Sequence, residues 1–208
     1  MRINSDFSIP SSDTFFTGKD SFTDEILWSN LKNGNELALS MIYKKYVQRL
    51  YDYGMHTCRN HDLVKDCIQE LFLRLWSKRA GLGDVQLVKA YLFKSFRRQL
   101  IAQIIERRKN SAPLPESDVA FEFTPSIEAI LIEDELKEEQ IIRLRNCILS
   151  LTKGQREIIY LKFYNDLNYQ EISEITELQV DSIYNLVSKT IELLRRKLQI
   201  SKPHIPLL

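Results

Sequence analysis

Apolar residues return every three or four positions along most of the chain, and each stretch that keeps this step predicts an amphipathic helix. Ile26, Leu27, Trp28 and Leu31 form a first short one, stopped by Asn33-Gly34, with Trp28 as a core plug. From Asn35 to Cys58, Leu37, Met41, Ile42, Tyr46, Val47, Leu50, Tyr51 and Tyr53 supply one apolar face. Val64, Ile68, Leu71, Phe72 and Leu75 cluster on one side of a third helix, Leu63 to Lys78. Tyr91, Leu92, Phe93 and Phe96 lead into Leu100, Ile101, Ile104 and Ile105 in a fourth, Val88 to Lys109. The period resumes near Ile127, runs through an acidic stretch to Leu151, and opens a further helix from Gln155 to Phe163.

The last periodic stretch, Asn168 to Lys197, is a short helix, a tight break and a longer helix. Asn168 with Glu171 reads as a capping box, and Thr152 with Gln155 as another. Ile172 and Ile175 give the short helix a small apolar face, Leu178 falls in the break, and Val180, Ile183, Val187, Ile191 and Leu194 form one stripe of the longer helix. That is the pattern of a helix-turn-helix, whose second helix enters the DNA major groove; a plain helical hairpin in a bundle has the same core geometry.

Breaks in the period divide the chain. Residues 1–22 are rich in Ser, Thr and Asp and read as a disordered arm. Pro113, Pro115 and Pro125 sit in an aperiodic stretch that makes residues 111–126 a flexible linker. The prediction is two small helical domains, 23–110 and 127–208, the second containing the helix-turn-helix. Leu, Ile, Lys, Glu, Gln and Arg dominate while Gly and Pro number six each, so the fold class is all-α.

Charge changes this picture more than composition does. The net charge of +1 hides a basic block followed by an acidic one. Lys94, Arg97, Arg98, Arg107, Arg108 and Lys109 face only Glu106 between Tyr91 and Asn110, whereas the next thirty residues hold nine acids against Lys137. Such segregation predicts different partners or mutual contact. Basic and aromatic residues share the fourth helix, as suits a surface that neutralises phosphates and stacks on unpaired bases; aromatic stripes also serve cores. No apolar run is long enough to cross a bilayer, no signal peptide is evident, and three widely spaced cysteines suit reduced thiols, so the expected location is cytoplasmic.

On the third helix, Asp62, Asp66, Gln69 and Leu73 lie opposite the apolar stripe with Glu70 beside them. A Leu inside a polar outer face marks a small partner-binding face. His56, Cys58, His61 and Cys67 lie close in sequence, but His56 and Cys58 fall on different helix faces, so no metal or cofactor is expected. No nucleophile elbow, phosphate loop or paired metal-binding His motif is present, which argues against an enzyme and a small-molecule substrate.

Taken together, several segments resemble extracytoplasmic-function sigma factors of bacterial RNA polymerase, of a Bacteroides-like type. DCIQELFLRLW, from Asp66 to Trp76, resembles their polymerase-binding segment, with Asp66, Gln69, Glu70, Phe72 and Trp76 matching. LALSMIYKKYVQRLYDYG resembles their first conserved helix, AYLFKSFRRQLI the helix that reads the melted −10 element, and LTKGQREIIYLKFYNDLNYQEISEI the start of their −35-binding domain. The resemblance implies that Asp66, Gln69, Glu70 and Leu73 contact core polymerase. It implies that the loop Ser77 to Leu87, with Lys78 and Arg79, holds a flipped promoter base, and that Lys94, Arg97 and Arg98 contact promoter DNA. Its partners would be core RNA polymerase, promoter DNA and an anti-sigma factor, in many relatives membrane-bound. The alternative is a two-domain helix-turn-helix regulator that never binds polymerase.

The chain departs from that family where Glu177 stands at a turn position often Gly, Gln179 at a helix start often Ser or Thr, Tyr184 and Leu186 at positions usually basic, and Arg98 at a common Asn. With the core stripe placed as above, Asn185 and Lys189 point away from it and Ser182 lies close by, while Leu186 and Ser188 fall on the flanks. Asn185 can pair with an adenine edge, Lys189 with guanine or phosphate, and Leu186 with a thymine methyl, while Arg195 and Arg196 hold the DNA backbone.

Overall fold

The computed structural model describes residues 23–110, 121–123 and 135–198. Most of the acidic stretch, most of the linker and the N-terminal arm lie outside them. The described residues are helical and contain no strand. In order they form α1 (Asp24–Lys32), α2 (Glu36–Thr57), α3 (His61–Ser77), a 3-10 turn (Arg79–Gly81), α4 (Val88–Asn110), α5 (Glu135–Leu149), α6 (Lys153–Phe163), α7 (Tyr169–Thr176) and α8 (Val180–Leu198).

The helix starts are written in local chemistry. Asn35 caps α2 by accepting from Leu37 and Ala38, and Asn60 caps α3 by accepting from Leu63. Both predicted capping boxes form, Thr152 with Gln155 on α6 and Asn168 with Glu171 on α7.

Helices α1 to α4 close one apolar core. Trp28 is 2% exposed and donates its indole N–H to the Gly83 carbonyl at 3.0 Å. The α3 stripe Val64, Ile68, Leu71, Phe72 and Leu75 is buried throughout, as are Leu92, Phe93, Phe96, Leu100 and Ile104 of α4. On α2 the buried stripe is Ala38, Ile42, Tyr46, Leu50 and Tyr53. Leu37 and Met41, expected on that face, are instead 74% and 39% exposed. Each lies one residue, about 100°, off the stripe that faces the other helices.

Gly54 sets how closely α2 can approach its neighbours. A Cβ built there would lie 2.8 Å from Val64 Cγ1 and 2.9 Å from Phe96 Cζ. Only a residue without a side chain fits this crossing.

The two halves do not stand apart. Helix α7 packs along α4, and the buried residues of both halves form one continuous apolar cluster. At the junction, the Tyr53 hydroxyl donates to Glu157 Oε1 at 2.5 Å and Arg97 Nε donates to the same oxygen at 2.8 Å. Around this clasp lies an aromatic seam. The Tyr53 ring centroid is 5.6 Å from Phe93 and 5.6 Å from Phe121, and His56 stands edge-on to Tyr160 at 4.8 Å. Residues 121–123, inside the stretch predicted as linker, are seated in this seam. Phe121 and Phe123 are buried, the Glu122 amide donates to the His56 carbonyl at 2.7 Å, and His56 Nδ1 donates back to the Glu122 carbonyl at 3.0 Å.

Two predictions follow from this packing. Gly54→Ala gains about 1 kcal/mol of helix propensity but overpacks the crossing at a cost of about 1–3 kcal/mol, so chemical denaturation should show a net loss of stability. Unchanged or raised stability would mean that Val64 and Phe96 yield without cost.

Burial pushes the His56 pKa below its ordinary value of 6.5, against opposing pulls from the Glu122 carbonyl and Asp52. The unfolded chain therefore binds this proton more readily than the folded chain does. The stability that neutral His56 contributes is complete above about 6.5 and is lost as pH falls from there toward the lowered folded value. The loss should stay below about 1.4 kcal/mol per pH unit, the limit for one group. Melting curves from pH 7.5 to 5.5 should fall more steeply for the wild type than for His56→Phe. Parallel curves would exclude His56 as a titrating member of the seam.

Candidate functional site

Three surfaces collect the residues that the sequence singles out. The first is the outer side of α3. Its inner stripe is buried, which leaves Asp66, Gln69 and Leu73 exposed, Leu73 at 49%. Glu70 is also exposed, but it leans toward α4: its Oε2 accepts from Gln99 at 2.7 Å and from Gln103 at 3.2 Å. Arg74 donates to Gln99 as well. Between α3 and α4 these side chains border a groove of about 610 Å³, which Lys78, Tyr91 and Arg98 also line.

The second surface is the loop after α3 and the face of α4. Lys78 is exposed. The Arg79 guanidinium lies over the Trp76 ring at 4.1 Å and donates to the Trp76 carbonyl at 2.8 Å. Phe93 and Phe96 lie in the core, so they do not offer rings to a nucleic-acid base; Tyr91 is half-buried, edge-on to Trp28 at 5.0 Å. All three predicted basic contacts of α4 already meet carboxylates from the second half. Lys94 pairs with Glu174 at 3.1 Å, Arg97 with Glu157 at 2.8 Å, and Arg98 with Glu177.

The third surface is α8. Ile183, Val187 and Thr190 are buried, with Val180, Ile191 and Leu194 half-buried beside them. Ser182, Asn185, Ser188, Lys189, Arg195 and Arg196 are exposed. Leu186, expected on a flank, is half-buried there and packs on the core. Tyr184 is the large apolar residue that α8 does present, 57% exposed and edge-on to Tyr169 at 5.6 Å. In the turn, Glu177 takes φ +63°, the left-handed conformation that favours glycine. Its N–H bonds the Ser173 carbonyl at 2.8 Å, and Ser173 Oγ donates to the Leu178 carbonyl at 2.6 Å.

The His and Cys residues near α3 have structural places. His56 belongs to the aromatic seam and His61 bonds the Tyr51 hydroxyl. Cys58 and Cys67 are buried, and burial pushes the Cys67 thiol up to about 12. No local pattern marked Glu157, Glu174 and Glu177 as partners of α4. The nearest signal was the charge segregation, which pointed to the acidic stretch instead.

Residues 141–194 match the family model described as sigma-70, region 4, a span that includes α6, α7 and most of α8. The chain is 24% identical over 166 residues to the ECF RNA polymerase sigma factor SigK of Mycolicibacterium vanbaalenii, covering 79% of this chain and 83% of that protein. It is 22% identical over 175 residues to ECF RNA polymerase sigma factor SigW of Bacillus subtilis, covering 81% and 93%. Among solved structures, CnrH in complex with the cytosolic domain of CnrY superposes with a TM-score of 0.55 at 16% identity, over 86% of this chain and 99% of that one. The sigma factor RpoE in complex with the anti-sigma factor NepR from Bartonella quintana gives 0.53 at 20% identity, over 78% and 98%. None of these assigns the Bacteroides-like type. The relatives align over most of the chain and the family model over its second half: the chain is similar to the extracytoplasmic-function sigma factors of bacterial RNA polymerase, and residues 141–194 match sigma-70, region 4.

Proposed function

We propose that this sigma factor binds core RNA polymerase through the outer face of α3 and directs initiation by holding promoter DNA on α4 and α8. The observation that carries the polymerase contact is Leu73, half exposed among Asp66 and Gln69 on a helix whose other side is fully buried. An apolar side chain with a carboxylate beside it fits a partner groove that is apolar within and basic at its rim. An ordinary repressor has no use for such a face. The first unit, 23–110, would engage the polymerase clamp and the −10 element. The second, 127–208, would engage the −35 element, with 111–126 spanning between them.

No bond is made or broken by the chain itself in this reading. It contributes binding energy that favours melted over paired DNA, and polymerase does the chemistry. The proposed site of action is the cytoplasm, where a partner polymerase and promoter DNA would be met. Among the described residues no helix is long and apolar enough to cross a membrane. One of the similar solved structures, RpoE, is bound to the anti-sigma factor NepR, and a protein of that anti-sigma class is the further partner proposed here.

Pull-down of core polymerase tests the first contact. Leu73→Asp and Asp66→Arg should each weaken capture at least several-fold with the helix content unchanged. If both variants capture polymerase like the wild type, α3 is not the contact.

For α8, Asn185 is the leading base reader, with Ser182, Ser188 and Lys189 around it. Asn185→Ala should cost roughly 1–3 kcal/mol at one base position. Arg196→Ala should weaken binding evenly across sequences and lower the salt slope by about 1. Binding to a panel of single-base promoter variants separates the two. An Asn185→Ala protein that keeps the wild-type preference at every position rules out base reading by Asn185.

A further inference from the structure

We infer that Tyr184 reads the 5-methyl group of a thymine in duplex DNA, through an aromatic ring that α6 and α7 hold in place on the flank of α8. The inference rests on the reading of α8 as the helix that enters the duplex, and it adds a specificity-determining residue to that surface.

Tyr184 is 57% exposed and directly precedes Asn185. Neighbouring positions on a helix stand about 100° apart, so the ring lies beside the outermost face rather than on it. Toward the core its neighbours Ile183 and Val187 are buried, while Asp181 and Ser188, a turn to either side, are exposed. A half-exposed tyrosine ordinarily samples several orientations, but this one is braced. Its ring stands edge-on to Tyr169, with centroids 5.6 Å apart and planes at 71°. Tyr169 is the first residue of α7, placed by the Asn168–Glu171 capping box, and it packs on the core. Over the Tyr169 ring lies the Lys162 ammonium of α6, 4.8 Å from the centroid, itself fixed by donating to the Leu167 carbonyl at 3.2 Å. Lys162, Tyr169 and Tyr184 therefore form a row of side chains from α6 through α7 to α8. Each contact is weak alone. Together they restrict the ring before any partner arrives, which lowers the entropy cost of using it.

The base edges decide what a braced ring can recognise there. In the major groove the polar atoms of a base call for side chains such as Asn185, and thymine adds one apolar group, its C5 methyl, which takes apolar and aromatic partners. A phosphate is the poorer partner. Asp181 is exposed one turn before Tyr184 on the same flank, and its carboxylate repels the DNA backbone. Leu186, the other apolar side chain near Asn185, packs on the core. The sequence adjacency of Tyr184 and Asn185 places the methyl on the base pair that Asn185 reads or on its neighbour.

Uracil pairs as thymine does and lacks only the methyl, so it isolates the contact. Holoenzyme assembled from core polymerase and the full chain would be used to select duplexes from a random-sequence library. Each thymine of the selected site would then be replaced in turn by uracil. One replacement should weaken equilibrium binding about fourfold, the effect of one methyl group withdrawn from water. Tyr184→Phe keeps the ring and should keep this difference. Tyr184→Ser should bind the thymine duplex about fourfold more weakly and no longer distinguish it from the uracil duplex. Helix content and the yield of holoenzyme should be unchanged in both variants. A selected site without a uracil effect at any position, or an effect of equal size in the wild type and Tyr184→Ser, would overturn the inference. A loss in Tyr184→Phe as large as in Tyr184→Ser would overturn it too, by assigning the contact to the hydroxyl. If Tyr184→Ser impairs assembly with polymerase and leaves DNA preference intact, the ring serves a protein surface and the inference is wrong. Failure of the α8 reading looks different, because Asn185→Ala and Arg196→Ala would then also bind the selected duplex like the wild type. A missing methyl effect with those two variants still impaired overturns the Tyr184 contact alone.

Discussion

A single carboxylate ties the two halves of this molecule together. Glu157 is mostly buried, and a buried charge is stable only when its partners are in place. Those partners, the Tyr53 hydroxyl and the Arg97 guanidinium, come from α2 and α4 of the first half, while Glu157 rides on α6 of the second. Removing Arg97 would leave the Glu157 carboxylate buried without its counter-ion, and removing the Tyr53 hydroxyl would take away one of its donors. The position of α7 along α4, the seating of residues 121–123 and the peripheral pairs of Lys94 and Arg98 all surround this clasp. The Arg98–Glu177 pair is largely solvated and the Lys94–Glu174 pair partly so, and both add direction more than strength.

This arrangement treats the three functional surfaces unequally. The outer face of α3 and the polar side of α8 remain exposed in the closed chain, while the cations of α4 are occupied.

What could be read from the sequence was what is decided locally. The capping boxes at Thr152 and Asn168 involve residues three apart and form as written. The stripes of α3 and α8 follow helical geometry, and so does the exposure of Leu73 and Asn185. Leu37, Met41 and Leu186 show the limit of that reasoning. Each sits about 100° from a core stripe, and periodicity alone does not say which side of a stripe a neighbouring helix will cover. The contacts of Lys94, Arg97 and Arg98 were not legible at all. Their partners lie sixty or more residues away, and their choice depends on how two separately stable surfaces meet. Charge segregation predicted different partners or mutual contact for the basic and acidic parts, yet it pointed to the run after Ser111 rather than to three glutamates spread over α6, α7 and the turn after it.

The most direct test of sigma-factor function is cell-free transcription. Purified core RNA polymerase would be incubated with genomic DNA of the source organism, with and without this chain, and the 5′ ends of the transcripts mapped. The chain should create a discrete set of start sites absent from core polymerase alone, sharing a common sequence near −35 and another near −10. Transcripts indistinguishable from those of core polymerase, under conditions where the chain is folded and in excess, would contradict its role as a sigma factor.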